Sequence, residues 1–229
     1  MLGKTHAVLG AAAAAGVGRL VGLPPATLFA TVGVAAGAAL VADLDEPGST
    51  VSTLAAPLSS ALSTLTNGLA GGHRYATHSL FAVAAVTTGT WLLGHVALCH
   101  TTSAAIIPGA IALILAVRGL VPGTARHGHI TTIALGVAGS VLVAEYVGTG
   151  TWITLAIAGG WTTHIVGDFV TPAHSTTNSG VALAWPSRRR YGIAVLGCVG
   201  SAREHLAAAV LSVATITMLW TPAAALIGH

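Results

Sequence analysis

The sequence predicts an all-α fold, a polytopic bundle of membrane helices, on three observations. Asp, Glu, Lys and Arg make up 7% of the 229 residues, against about 25% in a soluble domain, so the chain lacks the charge to cover a water-facing surface. Apolar residues make up 54%, and the mean hydropathy is +0.82. These residues also gather into runs close to the roughly 20 residues that cross a bilayer as a helix. The composition excludes an ordinary soluble enzyme and a disordered, charge-rich tail. The net charge of +3 comes from nine basic residues spread along the chain; that pattern makes no groove for nucleic acid and suits the orientation of a membrane protein. Cys99 and Cys198 are the only cysteines, too few for a disulfide framework or a Cys-x-x-Cys metal site.

Seven spans are expected, at Thr5–Val21, Pro25–Val41, Ser79–Leu98, Ser103–Leu120, Ile130–Val147, Trp152–Val170 and Leu206–Ile227. The first follows Lys4 as a signal peptide would, but the second begins after only Gly22, Leu23 and Pro24, which predicts a helical hairpin instead. Between the second and third spans, Val51, Leu54, Leu58, Leu62, Leu65 and Leu69 recur in steps of three and four. That spacing predicts an uncharged amphipathic helix over 51–69, kinked at Pro57 and lying in the membrane interface. The polar stretch 171–204 is expected as a loop, with Val181–Trp185 and Tyr191–Leu196 pairing around the basic turn Arg188-Arg189-Arg190. No repeat divides the chain, so residues 1–229 are expected to form a single membrane-embedded domain.

Crossing parity then sorts the loops. The Met1 end and the loops 43–74, 122–129 and 171–204 fall on one side, with Lys4, Arg74, Arg126, Arg188, Arg189, Arg190 and Arg203, while Arg19 stands alone opposite. Basic residues collect in the cytoplasm, so Met1 is expected inside the cell and His229 outside.

The same parity gathers the unusual polar residues. His6, Asp43, Asp45, His73, His78, His164 and Asp168 all fall at the cytoplasmic ends of their helices. His164 and Asp168 are four apart and share a helical face; Asp43 and Asp45 close a span. Imidazole nitrogens and carboxylate oxygens are the ligands of zinc, manganese and iron, and ionisable residues at this depth mark function. His95, His100, His127, His129, His174, His205 and His229 lack such partner spacing and are expected outside the site.

These residues also carry a resemblance. Thr5-His6, Ala42-Asp43-Leu44-Asp45-Glu46-Pro47-Gly48-Ser49, His73-Arg74-Tyr75-Ala76-Thr77-His78-Ser79-Leu80, the run His164 to Pro172, Ala184-Trp185-Pro186 and Gly200-Ser201-Ala202-Arg203-Glu204 follow one pattern in order. Together they resemble the LexA-regulated inner-membrane (YdjM-like) family of predicted metal-dependent hydrolases, over nearly the whole chain. The resemblance implies an inner-membrane location, a divalent metal and expression under LexA in the SOS response. Two positions depart from it: Glu46 stands where the family commonly has His, and Tyr75 where it commonly has Gly, which would narrow the cavity.

The expected activity is metal-dependent hydrolysis at the cytoplasmic interface, of an ester or phosphoester of a membrane lipid. The metal lowers the pKa of bound water and polarises the bond under attack. Asp43, His78, His164 and Asp168 are the expected ligands of one ion, zinc first and manganese or iron next. His6, Asp45 and His73 complete a second ion or orient the ligands; Asp45 is the expected general base, and Arg74 holds an anionic group. The alternative is a metal-ion or proton transporter using the same cluster. No Gly-x-Ser-x-Gly elbow or phosphate loop supports other chemistry. The topology predicts that reporter fusions after Gly123 and after Gly150 report opposite sides of the membrane; the same side for both would refute it.

Overall fold

The computed structural model describes residues 1–99, 102–121, 129–172 and 180–227. His100, Arg126, His127, His174 and His229, all weighed above, lie outside the described residues. The chain is mostly helical. In order come α1 (Gly3–Leu20), α2 (Pro25–Val41), a 3-10 turn (Ala42–Asp45), α3 (Leu58–Ala70), a second 3-10 turn (Ala76–His78) and α4 (Leu80–Gly94). A two-stranded ribbon follows, β1 (Ala97–Cys99) and β2 (Thr102–Ser103), then α5 (Ile106–Leu120), α6 (His129–Tyr146), α7 (Thr151–Val170) and α8 (Ala202–Ile227).

Helices α1 and α2 form the expected hairpin. Gly22 takes a left-handed conformation (φ 70), and Pro25 opens α2 at a position where a helix has no use for the missing N–H. Helix α2 is the core of the bundle, packed by α1, α5 and α7. Its buried face is made almost entirely of Ala, Gly and Val, and small residues let membrane helices approach backbone to backbone. A Cβ at Gly37 would overlap the Ala112 carbonyl of α5, and one at Gly160 of α7 would overlap the Ala35 carbonyl. Helix α6 packs on α5, α4 on α7 and α8 on α1. The outer helices turn large apolar side chains outward, among them Val141 and Leu142 of α6 and Val210, Val213 and Trp220 of α8. Pro25–Asp45, His129–Tyr146 and Ala202–Ala224 are long and apolar enough to cross a membrane; α4 and α5 are apolar but shorter.

Three expectations are corrected. The amphipathic helix begins at Leu58 rather than Val51, because Pro57 is its cap instead of a kink inside it. Val51 turns inward against Ala7, Leu40 and Leu115, while the Ser52 carbonyl accepts the hydroxyls of Ser59 and Ser60. Leu58, Leu62, Leu65 and Leu69 do form one exposed stripe. The expected pairing of Val181–Trp185 with Tyr191–Leu196 shrinks to one bridge, Val181 with Tyr191. The neighbouring amides bond elsewhere: Ala182 donates to the Arg74 carbonyl, Ile193 to Phe169 and Leu196 to Val170. The loop is thereby sewn to the end of α7. Helix α8 begins at Ala202 rather than Leu206, inside the stretch expected as loop. The cause is a cap in which the Glu204 amide donates to Ser201 Oγ and the Glu204 carboxylate accepts from Gly200.

Gly37→Ala is expected to destabilise the protein by about 3 kcal/mol, the upper end for overpacking, because the obstacle is backbone. Gly139→Ala, with open space around its Cβ, is expected to be neutral or stabilising by up to about 1 kcal/mol. Thermal unfolding in detergent measures both; equal midpoints would contradict the close α2–α5 approach.

Candidate metal centre

Five chain segments converge at one end of the bundle. His6 lies in the first turns of α1, and α2 tightens into the 3-10 turn that carries Asp43 and Asp45. His78 closes the second 3-10 turn, held just outside α4 because Ser79 caps that helix through its hydroxyl. His164 and Asp168 lie one turn apart on α7. Arg74 leads in from the α3 side with a left-handed backbone (φ 67), the only such non-glycine among the described residues. Conformations of this kind persist where the surroundings enforce them.

The geometry is that of a small cage. His78 Nε2 and His164 Nε2 are 2.9 Å apart. Asp43 Oδ1 is 3.4 Å from His164 Nε2 and 3.7 Å from His78 Nε2. Asp168 Oδ2 is 3.4 Å from His78 Nε2 and 3.7 Å from His164 Nε2. Ligands at about 2.0–2.1 Å around a tetrahedral ion stand about 3.3 Å from one another, and these spacings are of that size. His78, His164 and Asp168 form one group able to hold an ion, His6, Asp43 and His164 a second, and Asp43, Asp45, His73 and His78 a third.

Both imidazoles are oriented from behind. His164 Nδ1 donates to the Ala39 carbonyl at 2.6 Å. His78 Nδ1 donates to Thr77 Oγ1 at 2.8 Å, and the Thr77 hydroxyl in turn donates to Asp45 Oδ2. With both Nδ1 atoms acting as donors, both Nε2 lone pairs face the cage. Asp168 divides its oxygens: Oδ1 accepts from Arg74 Nη2 at 2.8 Å and from the Met1 amino nitrogen at 2.5 Å, while Oδ2 is buried with no hydrogen-bond partner. Two lone pairs and two carboxylate oxygens at these distances repel unless a cation or proton lies among them. Burial works against charge on His78, yet hydrogen bonds to Asp168, Asp43 and Asp45 outweigh it and hold its pKa well above the ordinary histidine value. A divalent cation held in the cage would displace that proton. The donor set fits such an ion.

The other expected residues lie around the cage. His6 stacks on His164 with ring centroids 3.7 Å apart, its Nε2 3.3 Å from Asp168 Oδ1; neither of its ring nitrogens has a hydrogen-bond partner. His73 lies beyond Asp45, donating from Nδ1 to Asp45 Oδ1 at 2.9 Å. Asp45 itself is fully buried behind His78. A cavity of about 800 Å³ opens onto the cage, lined by Asp43, Glu46, His73, Arg74, Asp168 and Arg190 among others. Of the four cage residues Asp43 is the most accessible, 16% exposed against 0–1% for the rest, so the cage is reached from its side.

Two cavity residues were not singled out from the sequence. Arg190, read there only as part of a basic turn, donates from Nη2 to the His73 carbonyl and lies 4.2 Å over the Tyr75 ring. Glu46, read from the sequence as a departure that removes a ligand or replaces it with a carboxylate, stands on the cavity wall with its side chain 46% exposed. Tyr75, expected to narrow the cavity, is not among its lining residues and instead supports Arg190.

A helical membrane protein with a buried His/Asp cage able to hold a metal ion is the class that fold and site define. The description of one family covers almost the entire chain: the YdjM inner membrane protein family model matches residues 1–227. The chain belongs to that family. No curated protein and no solved structure matches it.

His78→Ala and His164→Ala are expected to lose bound metal, measured by elemental analysis of the purified protein. His95→Ala is expected to keep it, since His95 is exposed and among the described residues its ring bonds to the Trp91 carbonyl within its own helix end. Equal metal content in all three variants would refute the cage.

Proposed function

We propose that the protein is a metal-dependent hydrolase acting on an ester of a membrane lipid, with a phosphoester as the best fit, at the cytoplasmic face of the inner membrane. The observation that carries this reading is a cluster of His and Asp donors close enough to share an ion, which opens into a cavity holding two guanidinium groups. Asp43, His78, His164 and Asp168 hold the ion, zinc in first place, with His6 beside it. A divalent cation there supplies Lewis acidity and makes water acidic enough to act as a nucleophile near neutral pH.

The chain's own groups do the rest. Arg74 has a buried Nη1 without a partner, and with Arg190 it offers planar donors to an anionic oxygen in the cavity. Asp45 is assigned to positioning: its two oxygens are engaged by His73 and Thr77, which fixes His78 and leaves Asp45 unable to meet substrate. The general base is Glu46, whose carboxylate stands on the cavity wall. Helix α3 brings the membrane to this layer. Its leucine stripe is exposed, and Asn67 near its end donates to the Asp45 carbonyl at 2.6 Å, so it seats in the acyl boundary with its far end tied to the site. Seven spans with Met1 inside, as the basic residues require, put the cavity at cytoplasmic headgroup depth. A transporter would hold its donors near the bilayer midplane; here they gather at helix ends.

The test is turnover of phosphoester lipids in vesicles by the purified, metal-loaded protein. Glu46→Gln is expected to lower kcat by about 10²–10⁴, the range for losing a general base, with metal content unchanged. Full activity in that variant would move the base elsewhere; no hydrolysis of any lipid ester by the wild type would overturn the proposal.

A further inference from the structure

A second cavity, of about 500 Å³, lies on the other flank of α1, between the first turns of α1 and α8 and the last turn of α5. Lys4, Arg118 and His205 line it together with Val8, Leu120 and Ala208. It combines basic side chains with apolar walls. Among the described residues none of its lining side chains is acidic. The nearest carboxylate in sequence, Glu204, is buried and turned to other work, accepting from the Leu2 amide at 2.6 Å and the Gly200 amide at 2.7 Å. The bond from Leu2 ties the start of α8 to the start of α1 and so holds two of the cavity's walls together. Lys4 is exposed. His205 Nδ1 donates to the Ser201 carbonyl at 2.8 Å, which leaves Nε2 as the ring's remaining polar atom.

The depth of this cavity follows from its residues. Lys4 is two positions before His6, and Gly119 beside Arg118 abuts Leu40 and Ala7, just below the cage. The cavity therefore lies in the same layer as the metal centre, where helix ends meet the headgroups of one leaflet. A basic pocket between membrane helices at headgroup depth, with apolar walls running toward the bilayer interior, matches a phosphate group that carries acyl chains.

We propose that this cavity is a binding site for an anionic phospholipid, separate from the catalytic cavity, with the lipid phosphate held by Lys4 and Arg118 and its glycerol and upper chain against Val8, Leu120 and Ala208. Occupancy braces the junction of α1, α5 and α8 next to the cage. The site does not depend on the hydrolase reading, because none of its residues touches the metal cage.

The experiment uses the full chain, delipidated in a neutral detergent and titrated with phosphatidylglycerol, with phosphatidylcholine, or with inorganic phosphate, following lipid adducts by native mass spectrometry and the thermal midpoint in parallel. Phosphatidylglycerol is expected to bind and raise the midpoint, and phosphatidylcholine to do neither at the same concentration. Each basic residue near a membrane surface contributes about fivefold to affinity for anionic lipid. Lys4→Gln is thus expected to weaken phosphatidylglycerol about fivefold, and Lys4→Gln with Arg118→Gln roughly thirtyfold, with bound metal unchanged. Arg118→Lys, which keeps the charge, is expected to retain binding and guards against a variant that merely misfolds. Equal affinity of wild type and Lys4→Gln, or equal binding of the two lipids, would overturn the proposal. Phosphate matching the lipid in raising the midpoint would overturn the lipid assignment in favour of a free-anion site.

Discussion

Two imidazole nitrogens 2.9 Å apart, with carboxylate oxygens 3.4–3.7 Å away and, of the four residues, only Asp43 exposed to any extent, are the constraint on which the rest of the structure depends. Burying such a set without a cation or proton is strongly unfavourable, since each lone pair gives up hydration and faces another lone pair. The surroundings nevertheless enforce it. The Ala39 carbonyl fixes one ring and Thr77 with Asp45 fixes the other, so neither imidazole can rotate its Nε2 away without breaking a buried hydrogen bond. The neighbourhood holds the cage in a form that could take up a cation, and the local breaks in regular structure supply its donors. The 3-10 turn after α2 presents Asp43 and Asp45, and the left-handed Arg74 reaches back to Asp168.

The close-packed hairpin beneath is the second half of the same design. His164 can donate to the Ala39 carbonyl only because α7 approaches α2 to backbone distance, and Gly160 one turn earlier permits that approach. In a membrane, lipid tails solvate apolar side chains as well as a protein core does, so tight backbone contact takes over from hydrophobic burial as the source of helix association. This explains why the helix contacts at the centre of the bundle are rich in Ala and Gly, with only a few large side chains such as Leu28, Leu40, Leu115 and Ile153 buried among them. It also explains why the polar residues can be buried at all: the helices carrying them are locked in register below the cage.

Much of this was legible in the sequence. The bounds of α2 coincide with the expected span, because a proline opens it and an acidic turn ends it, both local signals. The seven polar residues of the cage region were legible because composition makes them rare. What stayed hidden is non-local. The 51–57 segment has helical periodicity, but Val51 and Leu54 answer to α1, α2 and α5 rather than to a helix of their own. The 181–196 stretch alternates like a hairpin, yet its amides find better partners at Arg74 and the end of α7. Nothing in the sequence says, likewise, that His73 and Thr77 bond to the two oxygens of Asp45.

Arg190 and Tyr75 argue the same point from the family pattern. Tyr75 stands where glycine is common, and from sequence a large ring next to the site reads as obstruction. In the fold the ring is not part of the cavity lining and carries the Arg190 guanidinium 4.2 Å above its face. Arg190 also donates to the carbonyl of His73, across 117 positions of chain. A ring–cation contact and a hydrogen bond thus fix one side chain between two loops that share no element of regular structure. Glycine at position 75 would remove the platform beneath the Arg190 guanidinium. The departure at Tyr75 therefore makes sense only together with Arg190: it converts a flexible basic residue, whose evident purpose in the sequence is topology, into a fixed donor on the wall of the cavity.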